Sequence, residues 1–171
     1  MPDEPSGSPE PDSAAASRTE VPELVLGCDF GTRRIGVAVG DTLTRRARPL
    51  TTLEHRGQEQ LHRDIGRLVA KYAPARIVVG VPYNMSGTET PLTRPALAFA
   101  RDLRRKFALP VGLVDERLSS REAEDALRRA RQEGRRRRVA HADVDGEAAR
   151  IIVERWLAGE RHLDTEGGDS R

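Results

Sequence analysis

The chain has 171 residues, one third of them charged, and a formal net charge of +2. That length supports one domain with a substantial core. The single cysteine, Cys28, excludes an internal disulfide, and no apolar run reaches the ~20 residues of a membrane helix.

The small net charge hides a division along the chain. Met1–Glu20 carries five acids and one Arg, and Gly159–Arg171 carries four acids and two Arg, which leaves +8 on residues 21–158. A basic folded part between acidic tails favours a polyanionic partner and no membrane. Residues 1–20 hold too few apolar side chains to offset the entropy of ordering. They also lack the basic-then-apolar order of a signal peptide, so a disordered tail on a cytoplasmic protein is expected. The domain then runs over 21–158, with a flexible tail from 159 to 171.

In chain order, Leu24–Phe30 and Arg34–Gly40 read as strands joined by a Gly-Thr turn, and Ala47–Leu53 as a third. Short links make these an antiparallel meander. Gln58–Tyr72 places Leu61, Ile65, Leu68, Val69 and Tyr72 on one helical face. The buried strand Arg76–Gly80 leads into the loop Val81–Gly87. A helix over 92–107 turns Ala96, Phe99, Ala100, Leu103 and Phe107 inward, although Pro91 and Pro95 cannot both occupy its first position. Strand 111–115 follows, then a helix opened by the Ser119/Glu122 capping box. A last helix over 143–158 is expected to bury Val144, Ala148, Ile151, Ile152 and Trp156. The order predicts an α/β fold: a five-stranded mixed sheet, three antiparallel strands then two parallel, flanked by helices.

Asp29 and Glu116 each stand where an apolar strand runs out. Ligands gather at the carboxyl ends of parallel strands, and buried carboxylates there need a cation, usually a divalent metal, to offset their desolvation. Alternation sends Asp115 and Glu116 to opposite faces, so one of them joins Asp29. A third acid would come from His141–Ala149, where Asp143, Asp145 and Glu147 are the candidates; acids at a helix start also simply favour the macrodipole. Cys28 alternates with Asp29 and belongs to the core. His55, His62, His141 and His162 have no zinc-ligand spacing.

Four segments in order, Asp29–Ala38, Gly80–Glu89, Asp115–Ser120 and Asp145 with Ala148 and Ala149, resemble the YqgF-type family, also called RuvX. Its members are described as pre-16S rRNA nucleases and, earlier, as Holliday junction resolvases. The resemblance covers residues 24–158. It implies an RNase H-like fold and an acidic site of Asp29, Glu116 and Asp145, which serve as catalytic residues and as ligands of Mg²⁺, with Mn²⁺ as a substitute. Two metal ions in such a site activate a water and stabilise the leaving oxygen during phosphodiester hydrolysis. Thr32, Arg33, Arg34, Asn84 and Arg117 lie in the same motifs and are read as substrate-binding. The chain departs from the family's pattern at Tyr83, Ser86 and Pro95, which bears on substrate detail more than on catalysis.

Arg128–Arg138 holds seven Arg against one Glu. Gly134 marks a helix end, so Arg135, Arg136, Arg137 and Arg138 form a basic loop leading to the third acid, suited to a phosphate backbone. With few aromatic residues, backbone or shape reading should dominate over base stacking. The expected partner is precursor rRNA, alone or in ribosomal precursor particles, with branched DNA as the alternative and the chain acting as a monomer or homodimer. An actin-like or sugar-kinase-like ATPase also opens with an Asp-x-Gly-Thr turn but needs two related domains. A non-catalytic RNA-binding ribosome-assembly factor on the same fold is the remaining rival.

Overall fold

The computed structural model describes residues 21–117, 141–160 and 162–163. Strands β1 (Leu24–Phe30), β2 (Arg34–Asp41) and β3 (Arg46–Glu54) precede α1 (Gln58–Tyr72), β4 (Arg76–Val81), α2 (Thr93–Phe107), β5 (Val111–Asp115), α3 (His141–Leu157) and β6 (His162–Leu163). The sheet order is β3-β2-β1-β4-β5-β6. β1 pairs antiparallel with β2, and β2 with β3, while β4 lies parallel to β1 and β5 parallel to β4. This is the RNase H-like mixed sheet that the resemblance implies. A sixth strand joins it: β6 pairs antiparallel with β5 within the segment read as a tail. Its reach is two residues, and the His162 ring stacks on Trp156 with centroids 3.8 Å apart.

Alternation divides the sheet into two faces. Leu26, Cys28 and Phe30 of β1 face the core that α1 and α2 close, with Leu61, Ile65, Phe99 and Leu103. Val25, Ala38, Val78 and Val114 face α3, where Ala149, Ile152 and Val153 cover them. Cys28 is the core residue expected, and burial pushes its thiol up to about 12.

Local chemistry explains the irregular points. Pro49 sits on edge strand β3 at a bulge, since Val37 opposes Thr51 but Ala38 opposes Pro49. Pro95 falls in the first turn of α2, where a missing N–H costs no intrahelical bond. The buried Thr93 hydroxyl donates to the Pro82 carbonyl and ties α2 to the loop after β4. The inward stripe of α3 matches the expected one at Ile152 and Trp156 and differs at two positions. Val144 and Ile151 are 52% and 39% exposed, and the face that docks is Gly146, Ala149, Ile152 and Val153. The surface beneath is built of glycines whose open space takes the α3 side chains: a Cβ at Gly27, Gly40 or Gly112 would strike Val153, Val153 and Trp156 at 2.1, 2.4 and 2.5 Å. No described helix is long and apolar enough to cross a membrane. The Ser119/Glu122 cap and the Arg128–Arg138 run lie outside the described residues.

Candidate active site

Asp29 is the next-to-last residue of β1 and points to the α3 face, two residues beyond Gly27. Its cross-strand partners are glycines on both sides, Gly36 of β2 and Gly80 of β4. Each glycine makes room for another acid. A Cβ on Gly36 would lie 2.0 Å from the Asp145 carbonyl oxygen, and one on Gly80 would lie 2.4 Å from Glu116 Oε1. The order across the sheet is therefore Asp145, Asp29, Glu116, in a single row.

Glu116 keeps the strand's alternation because its N–H donates to the Val81 carbonyl at 3.1 Å, extending the β5–β4 ladder past Asp115. Asp115 turns to the other face, as expected. There it is buried and accepts from Arg117 N at 2.8 Å and Arg117 Nε at 2.7 Å.

The Glu116 and Asp29 carboxyls lie in hydrogen-bonding contact, which raises Glu116 and lowers Asp29. Burial is the main cause that raises both above the ordinary carboxylate range; the Asp29 charge raises Glu116 further, and Asp145 raises Asp29. Two carboxyls in contact cannot both ionise without a compensating cation. Asp145 Oδ2 faces Arg34 Nε at 3.1 Å. That oxygen and Glu116 Oε1 are buried and accept no hydrogen bond among the described residues. Among those residues no three His, Cys, Asp or Glu side chains close into a metal-holding group. The row is an open line of hard oxygen donors.

The other expected residues divide. Thr32, Arg33 and Arg34 are exposed in the β1–β2 turn beside the row. Gly31 is required there, since a Cβ would lie 2.4 Å from the Arg34 carbonyl. Asn84 is occupied within its own loop, its Nδ2 donating to Thr88 Oγ1 at 3.0 Å and to the Glu89 carbonyl at 3.2 Å. Arg117 is held by Asp115 and lies 5.9 Å from the Tyr83 ring centroid. Glu147 is drawn away by Arg150, whose Nε lies 2.9 Å from Oε1. Arg135–Arg138 and the side chains of His141 and Asp143 lie outside the described residues.

The family model described as "Holliday junction resolvase", RuvX, matches residues 23–159. The chain belongs to the RuvX family. It is 42% identical over 139 residues to a protein of Dechloromonas aromatica named as a candidate pre-16S rRNA nuclease, covering 81% of this chain and 93% of that one. A Paraburkholderia phytofirmans protein of the same description is 43% identical over 136 residues, covering 79% and 88%. Among solved structures, Thermus thermophilus RuvC in complex with Holliday junction substrate gives a TM-score of 0.48 at 14% identity, covering 82% and 99%. The Fowlpox virus resolvase with its Holliday junction DNA gives 0.48 at 10%, covering 80% and 97%.

Two side chains of this RuvX domain escaped the reading of the sequence. His55 braces the turn that carries Thr32 and Arg33: its Nδ1 lies 3.3 Å from the Gly31 carbonyl and its ring meets Phe30 edge-on at 5.7 Å. Arg155 of α3 is buried beside Glu116. Neither has a sequence signal of its own; His55 follows an edge strand, and Arg155 reads as one more cation in a helix's last turn.

Proposed function

We propose that the chain is a metal-dependent nuclease that hydrolyses phosphodiester bonds while processing the 5′ end of pre-16S rRNA. The observation that carries this is the acid row, in which Asp29 lies between two glycines covered by Asp145 and Glu116. The residues fit a divalent cation. Two buried carboxylate oxygens accept no hydrogen bond among the described residues, and burial beside each other raises the Asp29 and Glu116 carboxyls, a cost that a bound cation would offset. Magnesium suits such a set, because it takes one or two carboxylates and completes its shell with water and substrate phosphate.

Asp29, Glu116 and Asp145 would hold the metal, with Mg²⁺ the natural ion and Mn²⁺ a substitute. When bound, the metal supplies an activated water and charge stabilisation for the leaving oxygen. The chain's own residues do the rest. Arg34 keeps Asp145 turned towards the row, and Thr32 and Arg33 present a donor and a cation to the phosphate backbone at the strand ends. The hydrogen-bonded 82–89 loop, stiffened by Asn84 and docked on Arg117 through Tyr83, forms the opposite wall. The sequence adds Arg135–Arg138 as a further phosphate contact.

The family's resolvase description favours a second reading, cleavage of branched DNA. Symmetric junction cleavage needs two sites related by a two-fold axis, whereas a monomer suffices for trimming rRNA. The test is cleavage of precursor 16S rRNA and of a four-way DNA junction, side by side, with and without Mg²⁺. Metal-dependent trimming of the rRNA, abolished by Asp29→Asn in a folded protein, is expected. Full activity in that variant would reject the site, and metal-independent binding without cleavage would favour the ribosome-assembly reading.

A further inference from the structure

α3 carries Asp145 near its start and Arg155 near its end. Arg155 is 7% exposed, and a buried guanidinium survives only with partners that compensate its desolvation. Its Nη1 donates to the carbonyl oxygens of Asp115 and Arg117, 3.4 Å each. These are the two residues that flank Glu116. On the opposite side the Glu116 N–H is fixed to Val81. The Glu116 Oε1 accepts no hydrogen bond among the described residues, so apart from the carboxyl's contact with Asp29 the backbone that carries it sets its aim.

We infer that Arg155 is a positioning residue: it pins the chain on both sides of Glu116 to α3, so the helix that brings Asp145 to the row also fixes the Glu116 carboxylate. The inference rests on the metal-nuclease reading. It separates two roles of a single helix. Asp145 reaches the row through backbone contact with Gly36, and Arg155 reaches it through a long side chain laid along the end of β5. Neighbours that orient metal ligands in this way typically alter metal affinity by about 10- to 100-fold when replaced.

The test is titration of the full-length chain with Mn²⁺, followed by calorimetry and by the electron paramagnetic resonance signal of free Mn²⁺. R155Q should bind about 10- to 100-fold more weakly than the wild type, with its helical circular dichroism retained. R155K keeps the charge, but its ammonium ends one bond short of the Nη position. If reach to the two carbonyls matters, R155K loses affinity nearly as far as R155Q; if charge alone matters, it rescues binding and the inference fails. E116Q and the double variant E116Q/R155Q should bind Mn²⁺ equally, because Arg155 acts through Glu116. A full additive loss in the double variant would overturn the inference, as would wild-type or tighter binding in R155Q. Should R155Q lose its fold, the same cycle is read with R155K. Wild-type protein that binds no Mn²⁺ would sink the metal-nuclease reading and this inference together, whereas normal wild-type binding with unaltered Arg155 variants would sink the inference alone.

Discussion

Replacing Glu116 by Gln measures what the acid row costs the fold. Burial first, and then the adjacent Asp29 charge, raise the Glu116 carboxyl from 4.5 to about 8. An unfolded Glu titrates near ~4.3. Between those values the folded chain holds a proton that the unfolded chain has lost, so stability is full below the lower value and falls as pH climbs to the upper one. Each unit corresponds to about 1.4 kcal/mol, which caps the loss near ~5 kcal/mol. Asp29 titrates together with it and the group is partly exposed, so about 2 kcal/mol is the expected share. Gln has the same shape and no charge to desolvate. Metal-free E116Q should therefore be more stable than the wild type by about 2 kcal/mol at about pH 8, a rise in Tm of roughly 4–8 °C for a chain of this size. The two should converge at about pH 4. Thermal unfolding in chelator at both pH values is the assay, and added Mg²⁺ should raise the Tm of the wild type far more than that of the variant. An E116Q protein less stable than the wild type at the higher pH would refute the argument that burial of this carboxyl opposes folding.

Gly36→Ala should force α3 off the sheet, because the new Cβ would sit 2.0 Å from the Asp145 carbonyl oxygen. A loss of about 1–3 kcal/mol in urea unfolding is expected, with about 100-fold lower cleavage as Asp145 moves; unchanged activity would show that Asp145 is dispensable. Ala73 ends α1 in the left-handed region at φ 44, so Ala73→Gly should stabilise by about 1 kcal/mol, and a lower Tm would refute the cap geometry. Replacing Arg135–Arg138 by Gln should weaken binding to unrelated RNA sequences alike. The slope of log affinity against log salt should flatten by roughly 0.7–0.9 for each phosphate that an arginine no longer neutralises, and an unchanged slope would leave the run without a role in binding.

Much of this was legible because strands announce their faces. The alternation Val25, Gly27, Asp29 against Leu26, Cys28, Phe30 separates acid from core in one strand, and Gly112, Val114, Glu116 repeats it in β5. The helix facing them was harder. Hydrophobicity drew the stripe of α3 through Val144 and Ile151, both exposed, whereas the docked stripe includes Asp145, Gly146 and Ala149. Where Gly36 lets the Asp145 backbone approach, the sheet selects small residues on α3, and that preference is invisible until the partner surface is known. β6 was missed because two residues carry no periodicity; its place comes from the stacking of His162 on Trp156. Arg155 is indistinguishable in sequence from a cation favouring the helix dipole, and only its burial against the carbonyls flanking Glu116 sets it apart.

The two faces of the sheet are joined to their helices by different means. On one, interlocking bulky side chains such as Leu26, Ile65 and Leu103 fill the space; on the other, α3 lies over glycines, with Val153 and Trp156 seated in the room they leave and main chain meeting main chain at Gly36 beside the acid row. Side-chain interlocking can be repacked in many ways, whereas the main-chain contact of Gly36 with Asp145 has one spacing, set by covalent dimensions. Drift in the bulky core should therefore change how firmly the domain holds together while leaving the distances within the acid row nearly untouched. Endurance and aim can then vary separately, one on each side of a single sheet.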